Sequence, residues 1–309
     1  MRHRDARARK EYEMALTINT NIASMVAQRN LETATSSLNK AIERMTTGYK
    51  INHASDNAAG YSIARNWETQ LGSLDIAADN AATGADMLAT LEDTYALLTD
   101  HLQRVRDLTE QAANGTYGSQ SLLAIKSEIT ARLEEVDRIA ASCEFNGLEM
   151  MTGTMGEISL QVGLDGSNDS KIKLSADLFK DGKIASLFST YGNVTGATID
   201  KVAEQCVGYR SAENDFKGDA SAMLGNIDNV INEISSRVTT LGAAQNRIDS
   251  AIESIAVQSE NITSSLSTLR DTDIAEESSN YIQSQILQQA AATLLSTANQ
   301  TPSIALNLL

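Results

Sequence analysis

Apolar residues recur with a helical period along most of the N-terminal half of the chain. In residues 31–45, 67–105 and 122–140 they are separated by alternating steps of three and four, which places them on one face of a helix. Gly48 interrupts the first series, and Asn114-Gly115 predicts a turn before the third. We therefore predict three helices, the third ending near residues 145–147.

Residues 227–269 carry the clearest periodic signal. Eleven of thirteen positions at heptad spacing are apolar there, and Gln245 and Ser259 are the two exceptions. So narrow an apolar stripe is buried well only by other helices, which predicts a long helix packed lengthwise along the N-terminal helices. Polar residues in such a seam usually fix helix register, so we interpret both as register-setting rather than ligand-binding.

One small β element interrupts the helical pattern. Apolar and polar residues alternate in residues 157–162 and again in 171–174, with a cluster of Gly, Asp, Asn and Ser between them. This alternation predicts a β-hairpin with a long turn. Residues 182–217 show no sustained period, and we expect an irregular connector with one helix near residues 200–207.

Both ends of the chain carry apolar helical stripes. An amphipathic segment, residues 281–298, is expected to stop at Gln300-Thr301-Pro302, and further apolar residues follow. Such stripes need a partner to cover them, and copies that offer them to different neighbours generate an open helical polymer. The candidate self-assembly residues are Ile18, Ile22, Met25, Val26, Leu31, Leu38, Ile286, Leu287, Leu294, Leu295, Leu308 and Leu309.

Composition supports a mainly α fold, a long coiled-coil-like helical bundle in which the N- and C-terminal helices pack together beside the β-hairpin. The 309 residues include one proline, and only 4% are aromatic. A net charge of −15 opposes binding to nucleic acid, and no apolar run is long enough for membrane insertion. Cys143 and Cys206 are too few and too distant for a disulfide framework, and we expect two small buried side chains.

The sequence offers no catalytic signature, so we expect no enzyme activity, cofactor or metal. His3, His53 and His101 are too scattered for a paired metal site, and neither a phosphate-binding loop nor a serine-hydrolase elbow occurs. Residues 165–169 resemble the start of a calcium loop. Their glycine is misplaced, however, so we interpret them as a turn.

Residues 1–13 differ from the rest, since they hold five of the 25 basic residues. They are interpreted either as a start-site artefact or as a short basic arm, which mass spectrometry of the native N-terminus distinguishes. The expected organisation is an extension at 1–13, an N-terminal core helix region at 14–56, rod helices with the hairpin at 57–180, a variable connector at 181–217, a long rod helix at 218–270 and a C-terminal core helix at 271–309.

Several motifs resemble bacterial flagellin, and they occur in the family's order. Those similar to its N-terminal region are residues 17–21 (TINTN), 38–52, 54–60, 102–112, 145–147 and 158–163. Those similar to its C-terminal region are residues 241–251, 285–290 and 298–300. With so short a middle segment, the chain resembles a flagellin without large variable outer domains.

The resemblance implies a secreted subunit that polymerises with itself into the extracellular flagellar filament. Its terminal helices would line the filament core, and the longer helices would form the surrounding layer. Implied partners are a flagellar export chaperone on residues 281–309, the flagellar type III export apparatus, and junction and cap proteins. The alternative within the family is a hook-filament junction protein. A cytoplasmic signalling coiled coil is disfavoured by the predicted strand hairpin.

The resemblance also implies recognition by an animal Toll-like receptor. The positions that match the family's receptor-binding residues are Arg104, Leu108 and Glu128, with Ile227 and Ile231 opposite them.

Overall fold

The computed structural model describes residues 20–209 and 220–307, with side chains as far as Gln300. These residues form seven α-helices: α1 Ile22–Thr47, α2 Ala58–Ala113, α3 Ser119–Ser142, α4 Ile184–Thr190, α5 Ile199–Cys206, α6 Ser221–Arg270 and α7 Ile274–Asn307. The strands are β1 Glu144–Phe145, β2 Leu148–Glu149, β3 Ile158–Gln161 and β4 Lys171–Leu174. The chain divides into two compact units, the terminal unit (up to Glu68 and from Thr263) and the rod unit (Thr69–Ile262).

Helix α1 is closed at both ends by local hydrogen bonds. The Asn21 side chain caps its start by accepting from the backbone N–H of Ser24 at 3.0 Å. Gly48 ends the helix in the left-handed conformation, with φ 76°, and its N–H donates to Arg44 O at 2.8 Å. The interruption predicted at Gly48 is confirmed, because a glycine reaches this conformation without steric cost.

The main core of the rod unit is built from α2, α3 and α6. Helical periodicity predicted these three helices, and the structure buries their apolar faces against one another. The fully buried residues include Leu88, Leu91, Tyr95, Leu98, Leu102 and Val105 from α2, Ile129, Leu133 and Val136 from α3, and Ile227, Val230, Ile234, Leu241 and Ile248 from α6. Gln245 in the α6 seam donates to Glu92 of α2 at 2.8 Å, a contact that suits the register-setting role we expected.

The predicted hairpin is formed by β3 and β4, which pair antiparallel with Ile158 opposite Leu174. Ile172 and Leu174 are buried in the rod core. The hairpin lies so close to α2 that a Cβ added to Gly84 would overlap the methyl groups of Leu160. Glycine at this position therefore permits a close approach of helix and strand.

The third helix ends slightly earlier than expected, at Ser142. The next residues form a minimal hairpin, β1 and β2, whose turn is Asn146-Gly147. Both turn residues have positive φ, 50° and 78°, as two-residue hairpin turns of type I′ require. Asn-Gly, which marked the end of the helix in the sequence, is thus the turn of a β-hairpin.

The described part of the connector is folded. The helix predicted near residues 200–207 is confirmed as α5, but α4 was not predicted. Phe179 and Phe188 are fully buried in the rod core, together with Ile184. A seven-residue helix is too short to give a period in sequence, which explains why α4 was missed. Residues 210–217 lie outside the described residues.

The expected stop of the last helix at Pro302 is wrong, because α7 continues to Asn307. Proline removes the hydrogen bond that residue 302 would donate to Ala298 O. That carbonyl instead accepts from Asn21 Nδ2 at 2.7 Å. The described helices include none that is both long and apolar enough to cross a membrane.

Candidate self-assembly surface

Helices α1 and α7 pack as an antiparallel pair inside the terminal unit. Their buried faces consist largely of small residues, Ala27, Ala34 and Ala41 on α1 and Ser284 and Ala291 on α7. These residues recur every seven positions, which is the period of a coiled-coil seam. The small seam residues make the contact between the helices narrow and leave the larger apolar side chains outside it.

Polar contacts tie the two helices together along their length. Near the start of α1, Ser24 Oγ donates to Asn299 Oδ1 at 2.7 Å. In the middle, Gln288 Nε2 donates to Thr35 Oγ1 at 3.1 Å. Towards the end of α1, Arg44 lies 3.8 Å from Glu277, which is buried.

Large apolar side chains on both helices remain exposed. On α1 they are Ile22 (67% exposed), Met25 (64%), Val26 and Ile42. On α7 they are Ile274, Ile282, Ile286, Leu287 and Leu294 (62%). Single exposed apolar residues are ordinary on a protein surface, but a series along a helix pair indicates a surface that another molecule covers.

The structure places most of the predicted self-assembly residues on this pair. Six of them are exposed: Ile22, Met25, Val26, Ile286, Leu287 and Leu294. Leu31, Leu38 and Leu295 are half-buried. Ile18, Leu308 and Leu309 lie outside the residues whose side chains are described.

The C-terminal helix is also free of charge over most of its length. Residues 278–309 contain no Asp, Glu, Lys, Arg or His. Burying a surface without charges avoids the desolvation penalty of ions, so only polar amides and hydroxyls need partners when α7 is covered. This composition suits extensive helix-helix contact.

Arg270, the last residue of α6, anchors the segment that follows α1. Its guanidinium lies 4.1 Å from the centre of the Tyr49 ring, donates to Ile51 O at 3.3 Å and pairs with Glu68. Hydrogen bonds to Arg65 and the charge of Arg270 lower the pKa of Glu68. These contacts all lie within the terminal unit.

Backbone hydrogen bonds and the carboxylate of Asp56 also hold the segment between α1 and α2, residues 48–57, in place. Lys50 N donates to Arg270 O at 2.7 Å, and Thr272 N donates to Gly48 O at 2.9 Å. Asp56 accepts from the backbone of His53 at 3.1 Å, and this bond lowers the pKa of its carboxyl group. The start of α2 and the start of α7 are therefore held to the same short segment.

The geometry suits binding between helices. A groove between α1 and α7 has a volume of about 620 Å³ and is open to solvent, with Ala34, Leu287 and Leu294 among its lining residues. Within residues 20–209 and 220–307, no three His, Cys, Asp or Glu side chains are grouped so that they could hold a metal ion.

Two family models match the chain. Residues 18–155 match the bacterial flagellin N-terminal helical region, and residues 224–309 match the bacterial flagellin C-terminal helical region. The chain belongs to the bacterial flagellin family. It is therefore a structural subunit of the flagellar filament, as the resemblance in sequence implied.

Full-length relatives agree with this assignment. Flagellin FlaB2 of Treponema pallidum is 32% identical over 95% of this chain and 100% of its own length. Polar flagellin B/D of Vibrio parahaemolyticus is 31% identical over 96% of this chain and its whole length. A solved structure, a putative flagellar hook-associated protein from Vibrio parahaemolyticus, covers 70% of this flagellin with a TM-score of 0.58. At 14% identity that likeness shows the fold alone, so nothing favours the hook-filament junction alternative.

The residues matched to receptor binding occupy different environments in this flagellin. Arg104 and Glu128 are on the surface and form an ion pair, with Arg104 Nη2 lying 2.8 Å from Glu128 Oε1. Leu108 and Ile227 are buried in the rod core, whereas Ile231 is half-buried. Only the charged pair and part of Ile231 therefore present atoms to a molecule that binds this surface.

Sequence analysis missed the polar residues that fasten the connector to the rod unit. Asp137 of α3 accepts from the backbone N–H of Ile184, at the start of α4, at 2.6 Å. Burial raises the pKa of Asp137. Arg237 of α6 is buried and donates to the carbonyl of Asp181 at 3.2 Å. Charged residues are common on long helices, so the sequence does not distinguish Asp137 and Arg237 from solvent-exposed charges. Only their bonding partners, which are distant in sequence, show their role.

Proposed function

We propose that this flagellin polymerises through the exposed apolar residues of α1 and α7. The observation that carries the proposal is the series of exposed side chains on the two helices, which includes Ile22, Met25, Ile286 and Leu294. Covering one such side chain fully contributes about 1.5–3 kcal/mol, so a few of them account for stable association between subunits.

The geometry of the pair favours a polymer over a closed pair of subunits. The two helices differ in sequence and in charge, because α7 is uncharged after Glu277 whereas α1 carries charges of both signs along its length, at Arg29, Glu32, Lys40, Glu43 and Arg44. A contact that joins different surfaces of neighbouring copies is heterologous, and repeating it without closure gives a helical filament. Polymerisation is then driven by mass action, since each added subunit buries the stripes of the last.

Seeded growth tests this proposal. Ile286→Ser and Leu294→Ser each remove an exposed apolar side chain from α7, and we expect each to raise the critical concentration for filament growth at least about tenfold. Elongation on short filament seeds is measured by light scattering and electron microscopy.

Gln289→Ser is the matched control, because it shortens an exposed polar residue of the same helix and loses no apolar surface. We expect its critical concentration to stay within about twofold of the parent value. Normal growth of both apolar variants would contradict the proposal.

We further propose that residues 281–309 bind a flagellar export chaperone before assembly. An uncharged helix with exposed Ile282, Ile286 and Leu294 is prone to aggregate until it is covered, which supports a protective partner. Export through the flagellar type III apparatus, extracellular location, and contacts with junction and cap proteins are proposed as well, and membership of the family supports them.

Recognition by an animal Toll-like receptor is proposed for the surface around Arg104 and Glu128. The support is the match of these positions to the family and the exposure of the ion pair. Leu108 and Ile227 are buried in the rod core. They would contribute to such recognition by holding the helices in place and not by contacting the receptor.

A further inference from the structure

Pro302 leaves one carbonyl of α7 without its usual partner. In a regular α-helix the N–H of residue 302 would donate to Ala298 O, but proline has no N–H. The structure supplies a donor from the other helix of the pair, because Asn21 Nδ2 lies 2.7 Å from Ala298 O. The link joins the start of α1 to the last turns of α7.

Both polar atoms of the Asn21 side-chain amide form hydrogen bonds. Its Oδ1 accepts from Ser24 N and caps α1, while its Nδ2 donates to Ala298 O across the pair. Next to this link, Ser24 Oγ donates to Asn299 Oδ1 at 2.7 Å. The Asn21 side chain thus caps the first turn of α1 and also binds the turn of α7 that lies next to it.

The small residues of the seam by themselves leave the register undetermined, so polar contacts between the helices have to select it. Ala27, Ala34 and Ala41 repeat every seven residues, and so do Ser284 and Ala291. A slide of one heptad would bring small residues into contact again, and small side chains make no deep knobs that resist it. A slide of one heptad moves the helices about 10 Å past each other, so it would also break the contacts of Arg44 with Glu277 and of Gln288 with Thr35. These contacts favour the observed register together with the Asn21 link.

We propose that Asn21 and Pro302 together set the register of α1 against α7. Because Pro302 has no N–H to donate, the Ala298 carbonyl is left to accept from a donor outside the helix. The Asn21 amide reaches this carbonyl only in the observed register. A slipped register would remove this hydrogen bond from a part-buried acceptor, so the two residues favour the observed alignment by the net contribution of one hydrogen bond. Asn21 acts here as a positioning residue for the helix pair. This role goes beyond the proposed function, because the link lies within one chain and does not depend on polymerisation.

Disulfide cross-linking measures the register directly. Thr35 and Gln288 are hydrogen-bonded in the structure, so the double variant Thr35→Cys with Gln288→Cys reports the observed register. Thr35→Cys combined with Tyr281→Cys or Leu295→Cys reports a slip of one heptad in either direction. The yields are measured by gel electrophoresis and mass spectrometry on the full chain, both soluble and sedimented as polymer.

Asn21→Asp separates the two roles of the side chain, since it keeps the capping oxygen and removes the Nδ2 donor. We expect the ratio of native to slipped cross-links to fall about fivefold. Pro302→Ala restores the helical N–H for Ala298 O, so it should lower the ratio too, and adding Asn21→Asp to it should cause no further fall. The control Asn39→Asp adds the same charge to an exposed position of α1 and should leave the ratio unchanged.

Three results would overturn the proposal. An unchanged cross-link ratio in Asn21→Asp would mean that other contacts set the register, and so would absence of the native cross-link in the parent background. An equal fall with and without Pro302→Ala would reduce Asn21 to a helix cap. Because the cross-link joins residues of one chain, a protein that fails to form filaments contradicts the proposed function and still yields this measurement.

Discussion

Arg237 shows how one buried cation joins segments that are distant in sequence. Its Nε donates to Glu233 at 3.1 Å, its Nη1 donates to the carbonyl of Asp181 at 3.2 Å, and its guanidinium lies 5.6 Å from the centre of the Tyr191 ring. The side chain is only 5% exposed, so these partners replace the water that the charge gave up. The connector is thereby held to α6 by polar contacts as well as by apolar packing.

We expect Arg237→Met to lower the free energy of unfolding by about 3 kcal/mol. The variant fills a similar volume but leaves the Asp181 carbonyl and the Glu233 carboxylate without their donor. Chemical denaturation followed by circular dichroism measures the change. Arg247→Met is the control, because Arg247 is exposed on the same helix, and its effect should stay within about 0.5 kcal/mol. Equal stability of the two variants would show that the connector does not depend on this charge.

Cys143 and Cys206 are free and buried, as the sequence predicted. Burial raises the pKa of the Cys206 thiol from 9.0 to about 12. A thiol with this raised pKa stays protonated in the native state while the unfolded chain loses its proton. Its contribution to stability is therefore complete below pH 9 and declines as pH rises from about 9 to 12.

We expect Cys206 to react with iodoacetamide at pH 8 about a thousandfold more slowly in the native protein than in the unfolded chain. The reason is that only the thiolate attacks, and the raised pKa reduces its fraction by about that factor. Mass spectrometry of peptides from timed quenches measures the rate, with the chain in denaturant as the reference. Modification at the unfolded rate would place Cys206 outside the core.

Two of the three glycines in helix α2, Gly72 and Gly84, have opposite roles. Gly84 faces the hairpin, where a Cβ would overlap Leu160, whereas a Cβ on Gly72 would meet nothing within 4 Å. Both positions have helical backbone, so the intrinsic helix propensity of each substitution is the same. The contacts around each position therefore decide the sign of the effect.

Gly72→Ala should stabilise the protein by about 0.5–1 kcal/mol, because alanine restricts the unfolded chain and favours the helix. Gly84→Ala should destabilise it by about 1 kcal/mol or more, because the hairpin has to move away from α2. Thermal unfolding of the two variants beside the parent protein measures the difference. A gain in stability at Gly84 would mean that Leu160 moves aside without loss.

Long helices were predictable because their signal is repeated many times. Each turn of α2, α3 and α6 contributes one or two apolar residues to the seam, and an error at one position leaves the period intact. The hairpin of β3 and β4 was found for the same reason, since its alternation also continues across the second strand. Helix α4 has seven residues and depends on contacts with Asp137 and the rod core, so local sequence did not reveal it.

The two units of this flagellin differ in how completely they bury their apolar residues. The rod unit encloses a continuous core that includes α4, α5 and the hairpin. In the terminal unit, the α1 and α7 pair buries a narrow stripe of small residues and exposes large ones. This difference supports the proposal that neighbouring subunits cover the exposed side chains of the α1 and α7 pair.

Deletion of residues 302–309 should block filament growth and leave the rod unit folded. The segment carries Ile304, Leu306 and the terminal leucines, which the proposed assembly would cover, whereas the rod unit consists of Thr69–Ile262. Seeded elongation measures growth, and thermal unfolding by circular dichroism measures the fold. A truncated protein that forms normal filaments would show that the end of the chain is dispensable.

The sequence by itself determined the helices, the hairpin, the apolar ends and the family, because each of these is encoded in repeated or contiguous residues. The tertiary structure decided which of the predicted residues are accessible. Leu108 and Ile227, matched to receptor binding, are buried, while Arg104 and Glu128 remain on the surface. It also decided that α7 continues through Pro302, because the partner of the freed carbonyl, Asn21, lies 277 residues away in the chain. Contacts between residues so far apart depend on how the helices pack, and no local pattern specifies them.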